Sequence, residues 1–434
     1  MTPPADDICH GPAQGNLAEA YALAGKPALA SGSTHVRGHD AEQGRAASTS
    51  LLLTQWHRAR SGRIEHTEQL VRPRAVGSLV RAAWAWPSSG SRWRQANKVL
   101  CMPRYPDIEP YETGLLDTGD GNLVYWETCG NPDGVPALIV HGGPGSGCTA
   151  GNRRSFDPEK FQIIIFDQRN CGRSLPHASD PAADMNLNTT GHLLRDMEQL
   201  RGHLGVEKWL LRGGSWGVTL SLAYAERHPE RVSGMLMLSV TSTRRLELDW
   251  LYRGAGRFFP EAWARFRDFA GLTDSYRLPT DSTPPIPGLL QAYSQMMEDP
   301  DIGVRSRAAA EWTAWEDAVI SQESNGTPGA FGDRPDNAKL AFVRICSHYF
   351  AHDGFLEDGV LIREAGKLAG IPGVLIHGRN DLGGGACTPW ELARAWPGAE
   401  LIIIEDSGHT GSATMTDQMH AAADRLYEQI TNPA

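Results

Sequence analysis

The stretch Trp209 to His228 reads WLLRGGSWGVTLSLAYAERH, and its centre is Gly213-Gly214-Ser215-Trp216-Gly217. An apolar run enters from the left and stops at two glycines. A helical pattern leaves on the right, Val218–His228, and Pro229 ends it, because proline cannot continue a helix. The five central residues fit G-x-S-x-G in the setting that motif requires, between a strand and a helix. The glycines permit a turn sharp enough to lift the Ser215 hydroxyl out of the chain. The helix aims its unpaired N-terminal N–H groups at the same point. A plain tight turn is the rival reading, and the strand and helix on either side favour a nucleophile.

Outward from this point the same rhythm continues. Strands are predicted at Asn122–Thr128, Pro136–Val140, Gln162–Asp167, Gly234–Val240, Pro372–His377 and Glu400–Glu405. Between them Thr189–Leu204 has helical spacing, with Leu193, Leu194, Met197, Leu200 and Leu204 on one face. A last helix is predicted over Thr416–Ile430. Strands alternating with helices imply a mostly parallel sheet flanked by helices, an α/β class. Residues 241–365 interrupt the rhythm. They are rich in Trp, Phe, Tyr and Pro, and their periodic parts, Val304–Val319 and Leu340–Phe350, are helical, which predicts a helical cap inserted into the sheet domain. The expected division is 1–101 as a disordered extension, 102–240 and 366–434 as the core, and 241–365 as the cap.

Charge separates the first of these pieces from the rest. Residues 1–101 carry 12 Lys/Arg and 7 Asp/Glu, a net of +5, while the remainder carries 29 against 44, a net of −15. That segment is rich in Ala, Gly, Ser and Arg without a sustained period, so a leader or translated upstream sequence is expected there. The overall charge of −10 argues against nucleic-acid or anionic-membrane partners. Seven scattered cysteines, none in a C-x-x-C pair, argue against a disulfide framework or a zinc site. Free thiols and the lack of a secretory signal suit a cytoplasmic protein. No uninterrupted apolar stretch is long enough for a membrane span.

A serine hydroxyl needs a base within hydrogen-bond reach, and that base needs an orienting carboxylate. In the α/β-hydrolase fold the three follow the chain order Ser, Asp, His. Asp381 lies just past the strand ending at His377, and His409 just past the strand ending near Glu405, on the same sheet edge as Ser215. Asp406 is the rival carboxylate, and three residues before His409 it suits a turn better. A tetrahedral intermediate also needs two N–H donors. His141-Gly142-Gly143-Pro144-Gly145 follows an earlier strand and offers Gly143; the residue after the nucleophile offers Trp216. A phosphate cradle is the rival for this glycine loop, but it lacks the Lys-Ser/Thr pair of a P-loop and is not G-x-G-x-x-G.

The segments EPYETG, HGGPGSG, FDQRNCGRS, NTT, GGSWG, AYAERHPERV, LDW, HYF, HGRND and SGH stand in one order over about Tyr105 to Ser412. Together they resemble the proline iminopeptidase family of α/β-hydrolases. The resemblance implies an exopeptidase that releases N-terminal proline, a helical cap over the site, no metal or organic cofactor, and Ser215, Asp381 and His409 as the triad. It does not reach residues 1–101.

The resemblance also implies how a free amino terminus is read: by carboxylates facing the pocket. Glu316 in Trp312–Glu316 (WTAWE) holds one such place, while Cys346 stands where the family has a second glutamate. Phe350 keeps one of the aromatic positions that line the proline pocket. Thr241 and Leu251 stand at two others, with Tyr252 next to Leu251, and Leu382-Gly383-Gly384-Gly385 replaces an apolar stretch. An intact triad with a partly rewritten pocket predicts an aminopeptidase of relaxed or changed selectivity. Two rivals remain: an esterase or small-amide hydrolase that ignores the amino terminus, and a non-catalytic protein on a hydrolase scaffold.

Overall fold

The computed structural model describes residues 105–272, 288–323 and 329–432. The expected N-terminal extension, 1–101, lies outside them.

Eight strands form one sheet: β1 (Glu112–Asp117), β2 (Leu123–Gly130), β3 (Val135–Val140), β4 (Phe161–Phe166), β5 (Trp209–Ser215), β6 (Val232–Val240), β7 (Gly373–Gly378) and β8 (Glu400–Ile404). Their order is β1-β2-β4-β3-β5-β6-β7-β8. β1 and β2 pair antiparallel, as do β2 and β4; from β4 to β8 every pairing is parallel. The continuous apolar runs follow from this. A parallel strand covered on both faces has no side that water can reach. Ala137, Ile139, Leu210, Leu236 and Ile376 face one way, and Leu138, Val140, Leu211, Met237 and Leu375 the other, into two separate apolar clusters.

Helices α1 (Thr190–His203) and α2 (Trp216–Arg227) cover one face. The predicted stripe on α1 is the buried one: Leu193, Leu194, Met197 and Leu200 are within 5% exposure. Between β6 and β7 the chain forms α3 (Arg245–Tyr252), α4 (Pro260–Phe269), α5 (Leu289–Met297), α6 (Ile302–Ile320), α7 (Asp336–Ala351) and the one-turn α8 (Val360–Arg363), and no strand among the described residues. Phe266, Tyr293, Trp312 and Trp315 stack into an aromatic centre for these helices. After β7 come α9 (Cys387–Ala395) and, after β8, α10 (Ala413–Thr431), whose Met415, Met419, Ala422 and Leu426 close the other face of the sheet.

Two elements escaped the sequence reading. β1 is a half-exposed edge with no buried side to create an alternation, and α9 opens within a glycine-rich stretch that reads as loop.

Candidate active site

β5 ends on Ser215, which adopts φ 55° and ψ −125°, and α2 starts on the next residue. Such a backbone is costly for a non-glycine residue and persists only where its surroundings enforce it. Enforcement here is steric: a Cβ on Gly217 would come within 2.1 Å of the Val140 carbonyl oxygen, so α2 can approach the end of β3 only with glycine there.

His409 and Asp381 arrive from the loops after β8 and β7. His409 Nε2 lies 3.0 Å from Ser215 Oγ, and His409 Nδ1 lies 2.8 Å from Asp381 Oδ2. The Asp381 side chain is fully buried, and its other oxygen accepts the Gly384 N–H at 2.8 Å. Burial opposes charge on both groups. Each nonetheless stabilises the charged form of the other: the Asp381 carboxyl is held below its usual range, and the His409 imidazolium is held up to about 9. The rival Asp406 instead accepts from Ser412 and Thr414 at the start of α10, as a turn residue would.

Two residues that touch this trio, and a third that braces the turn around it, carry no signal in the sequence. His377, the last residue before Gly378 in β7, lies 3.8 Å from Asp381 Oδ2. Its Nδ1 accepts the Val240 N–H and its Nε2 donates to the Gly384 carbonyl, so the ring is neutral, and burial lowers its pKa further. Glu323, just beyond α6, grips the His409 loop from above. One oxygen accepts the His409 N–H at 2.7 Å, and the other accepts the Thr410 N–H and hydroxyl at 2.7 and 2.6 Å. Gln168, inside the quoted FDQRNCGRS segment, joins the glycine loop to the nucleophile turn. It accepts from the Trp216 indole at 3.0 Å and donates to the His141 carbonyl at 2.8 Å. His141 Nε2 in turn accepts the Gln168 N–H.

Ser215 and His409 open onto a cavity of about 250 Å³ that Gly143, Trp216, Glu316 and Phe350 also line. The structure therefore brings every predicted site residue except the buried Asp381 to one cavity wall. The Glu316 carboxylate is buried on α6, with Oε1 accepting from the Tyr252 hydroxyl at 2.9 Å and the Trp312 indole at 2.8 Å. Oε2 has no hydrogen-bond partner among the described residues. Burial pushes the Glu316 carboxyl up to about 7 against those two donors.

Three other positions explain the altered pocket. Cys346 is fully buried and does not line the cavity; its thiol donates to the Pro144 carbonyl at 3.1 Å. Thr241 and Leu251 do line it, and two rings no motif pointed to, Phe331 and Phe342, join them. These rings stack at 5.7 Å with 17° between planes. Glu247 also reaches the cavity wall, but its carboxylate is occupied by Ser242, the Arg244 N–H and the Thr388 hydroxyl. Among the described residues no cluster of three or more His, Cys, Asp or Glu side chains is arranged to hold a metal ion, and no helix is long and apolar enough to cross a membrane.

The eight-stranded sheet with this arrangement at the ends of its parallel strands defines a serine hydrolase, and residues 136–414 match the alpha/beta hydrolase fold family. The chain is 45% identical to a probable proline iminopeptidase of Streptomyces coelicolor over 75% of this chain and 98% of that one. It is 40% identical to the proline iminopeptidase of Xylella fastidiosa over 70% and 93% of the two chains. It is 39% identical to the proline iminopeptidase of Arabidopsis thaliana over 71% and 77%. The chain belongs to the proline iminopeptidase family of α/β-hydrolases.

Proposed function

We propose that the protein is a serine aminopeptidase that removes N-terminal residues, proline favoured, through an acyl-enzyme. Ser215 attacks the scissile carbonyl. His409 takes the hydroxyl proton and returns it to the leaving amine, while Asp381 orients the imidazole and stabilises its charged form. The N–H groups of Gly143 and Trp216 receive the developing oxyanion. Water then repeats the sequence on the acyl-enzyme. The helices between β6 and β7 act as a cap that encloses the N-terminal residue.

The observation that carries this reading is the Glu316 carboxylate, with one oxygen unpaired, in the same apolar cavity as the Ser215–His409 pair. Arg334 and His409 favour the Glu316 charge from a distance, but no cation among the described residues hydrogen-bonds to it, and a protonated amine supplies that contact. Phe350, Phe331, Phe342, Leu248 and Leu251 provide an apolar wall for a pyrrolidine ring. The decisive experiment compares kcat/KM on proline p-nitroanilide, alanine p-nitroanilide and N-acetyl-proline p-nitroanilide, with Ser215→Ala as control. Turnover of the free prolyl anilide and none of the acetylated one is expected; equal turnover of both would defeat the reading.

A second reading, an esterase that ignores the amine, is favoured by one specific observation: Cys346, not a second carboxylate, stands beside the glycine loop. Turnover of p-nitrophenyl acetate alone would select it. A cytoplasmic setting is proposed as well, supported by five unbonded thiols among the described residues.

A further inference from the structure

Ser215 and His409 border two cavities. The apolar one lies beneath the helices between β6 and β7. The other, about 430 Å³, lies on the α10 side of the sheet, between the His409 loop and the 3₁₀ turn Ala150–Arg154. Its lining is basic: Arg154, Arg212, His409 and His420 reach it, and no Asp or Glu among the described residues does. That is unexpected for a chain whose net charge is −10.

Arg212 is the unusual member. It stands three residues before the nucleophile on β5, on the strand face that meets α10. Its Nε is buried without a hydrogen-bond partner, and its Nη2 lies 3.9 Å from the Met419 sulfur. Among the described residues no carboxylate pairs with it, and burial lowers its pKa. The residue as a whole is half-buried, so its guanidinium is partly screened from water without an anion beside it, a charge the fold does not use internally. Nη1 lies 3.7 Å from where a Cβ on Gly214 would stand, which sets the cation beside the backbone that carries Ser215.

We propose that this cavity binds the leaving half of the substrate, and that Arg212 takes its terminal carboxylate. The inference rests on the aminopeptidase reading and narrows its substrate class to short peptides, dipeptides first. His409 must protonate the departing amine, so the leaving group lies against the imidazole, and His409 is among the residues that line this cavity. One residue of extended chain spans about 3.3–3.6 Å, so the carboxylate of a dipeptide falls close to the nucleophile, where Arg212 is; that of a longer peptide falls beyond it. A guanidinium matches a carboxylate with two parallel hydrogen bonds. Arg154 adds a second positive charge at the cavity, although two of its nitrogens already serve the Tyr105 carbonyl and Asp107.

The test compares kcat/KM on prolyl-alanine with that on prolyl-alanine amide, in the wild type, Arg212→Leu and Arg212→Lys. The acid-to-amide ratio is the readout, because it cancels any general effect of a variant on the triad. The wild type should favour the free acid by about tenfold or more, the value of one charge-assisted contact. Arg212→Leu should bring the ratio to near one, and Arg212→Lys should keep part of it. A ratio near one in the wild type, or an unchanged ratio in Arg212→Leu, overturns the proposal while leaving the aminopeptidase reading intact if proline p-nitroanilide is still cleaved. Wild-type protein that cleaves neither peptide nor the anilide overturns both.

Discussion

The Glu323 carboxylate holds His409 by its backbone: Oε1 accepts the His409 N–H at 2.7 Å while Oε2 takes both donors of Thr410. Glu323 belongs to the segment that follows α6, the helix that also carries Glu316. The element proposed to read the amine is thus tied directly to the loop bearing the proposed base. A Cβ on Gly408 would overlap the Glu323 carboxyl carbon at 2.3 Å, which explains the glycine before His409.

Replacing this contact should damage catalysis without touching substrate. Glu323→Gln keeps one acceptor but turns its amide toward donors that need an acceptor. The His409 loop loses its grip, and a shift of about 1 Å in a catalytic group can cost on the order of a hundredfold. The expected result is a fall in kcat of tenfold to a hundredfold with KM little changed. The negative charge also helps to raise the His409 pKa, so the lower inflection of the pH–rate profile should move down. A variant with wild-type kcat and an unmoved inflection would show that Glu323 is mere packing.

The pH dependence of the parent enzyme follows from two groups. A general base works only when unprotonated, and the Asp381 carboxylate holds the His409 imidazolium up to about 9. With chemistry limiting, kcat/KM should therefore climb with pH toward about 9 and fall roughly tenfold per unit below it. Glu316 ionises at about 7, so below that pH the amine also loses its anionic partner and KM rises. A prolyl anilide should show a falling alkaline limb as its own amine deprotonates, whereas an ester without an amine should show a plateau. A flat profile from pH 6 to 9 on both substrates would contradict these assignments.

Glu316→Gln separates recognition from chemistry. Tyr252 and Trp312 can still donate to the amide oxygen, so the packing of α6 survives. The lost charge-assisted contact is worth about 1.5–3 kcal/mol, roughly ten- to a hundredfold in kcat/KM on a free-amine substrate. Hydrolysis of p-nitrophenyl acetate should be nearly unaffected. Equal losses on anilide and ester would place Glu316 in the structure rather than in amine binding.

The legible and illegible parts of this site differ in physical kind. Ser215, Asp381 and His409 are legible as candidates because strand ends and chain order confine them, and those signals are local. Phe331 and Phe342 were missed because they lie on no matching motif and reach the cavity only once the helices around α7 fold over the sheet. Thr241 and Leu251 read in sequence as lost aromatics, while the fold brings rings from elsewhere to the same cavity. Gln168 and His377 are illegible for a related reason: each makes a hydrogen bond to a residue far away in the chain, Trp216 and Val240 respectively. Arg212 sits inside the most informative stretch of all, yet only the structure shows that no carboxylate among the described residues meets it.

Cys346 offers the last test, because the family resemblance suggests restoring its glutamate. Here the thiol is fully buried, and its donor points at the Pro144 carbonyl within the glycine loop. A carboxylate in that place would face a carbonyl oxygen, so it must either stay protonated or push α7 away from the loop that supplies the Gly143 N–H. Cys346→Glu should therefore lower thermal stability, by several degrees for a cost of about 2–3 kcal/mol in a domain of this size, and reduce kcat on every substrate. Cys346→Ser, which keeps a donor to Pro144 in nearly the same volume, should retain both. If Cys346→Glu instead folds normally and tightens KM for prolyl substrates while leaving the ester alone, the second carboxylate site exists in this chain after all, and the wall of the cavity next to α7 can open to admit it.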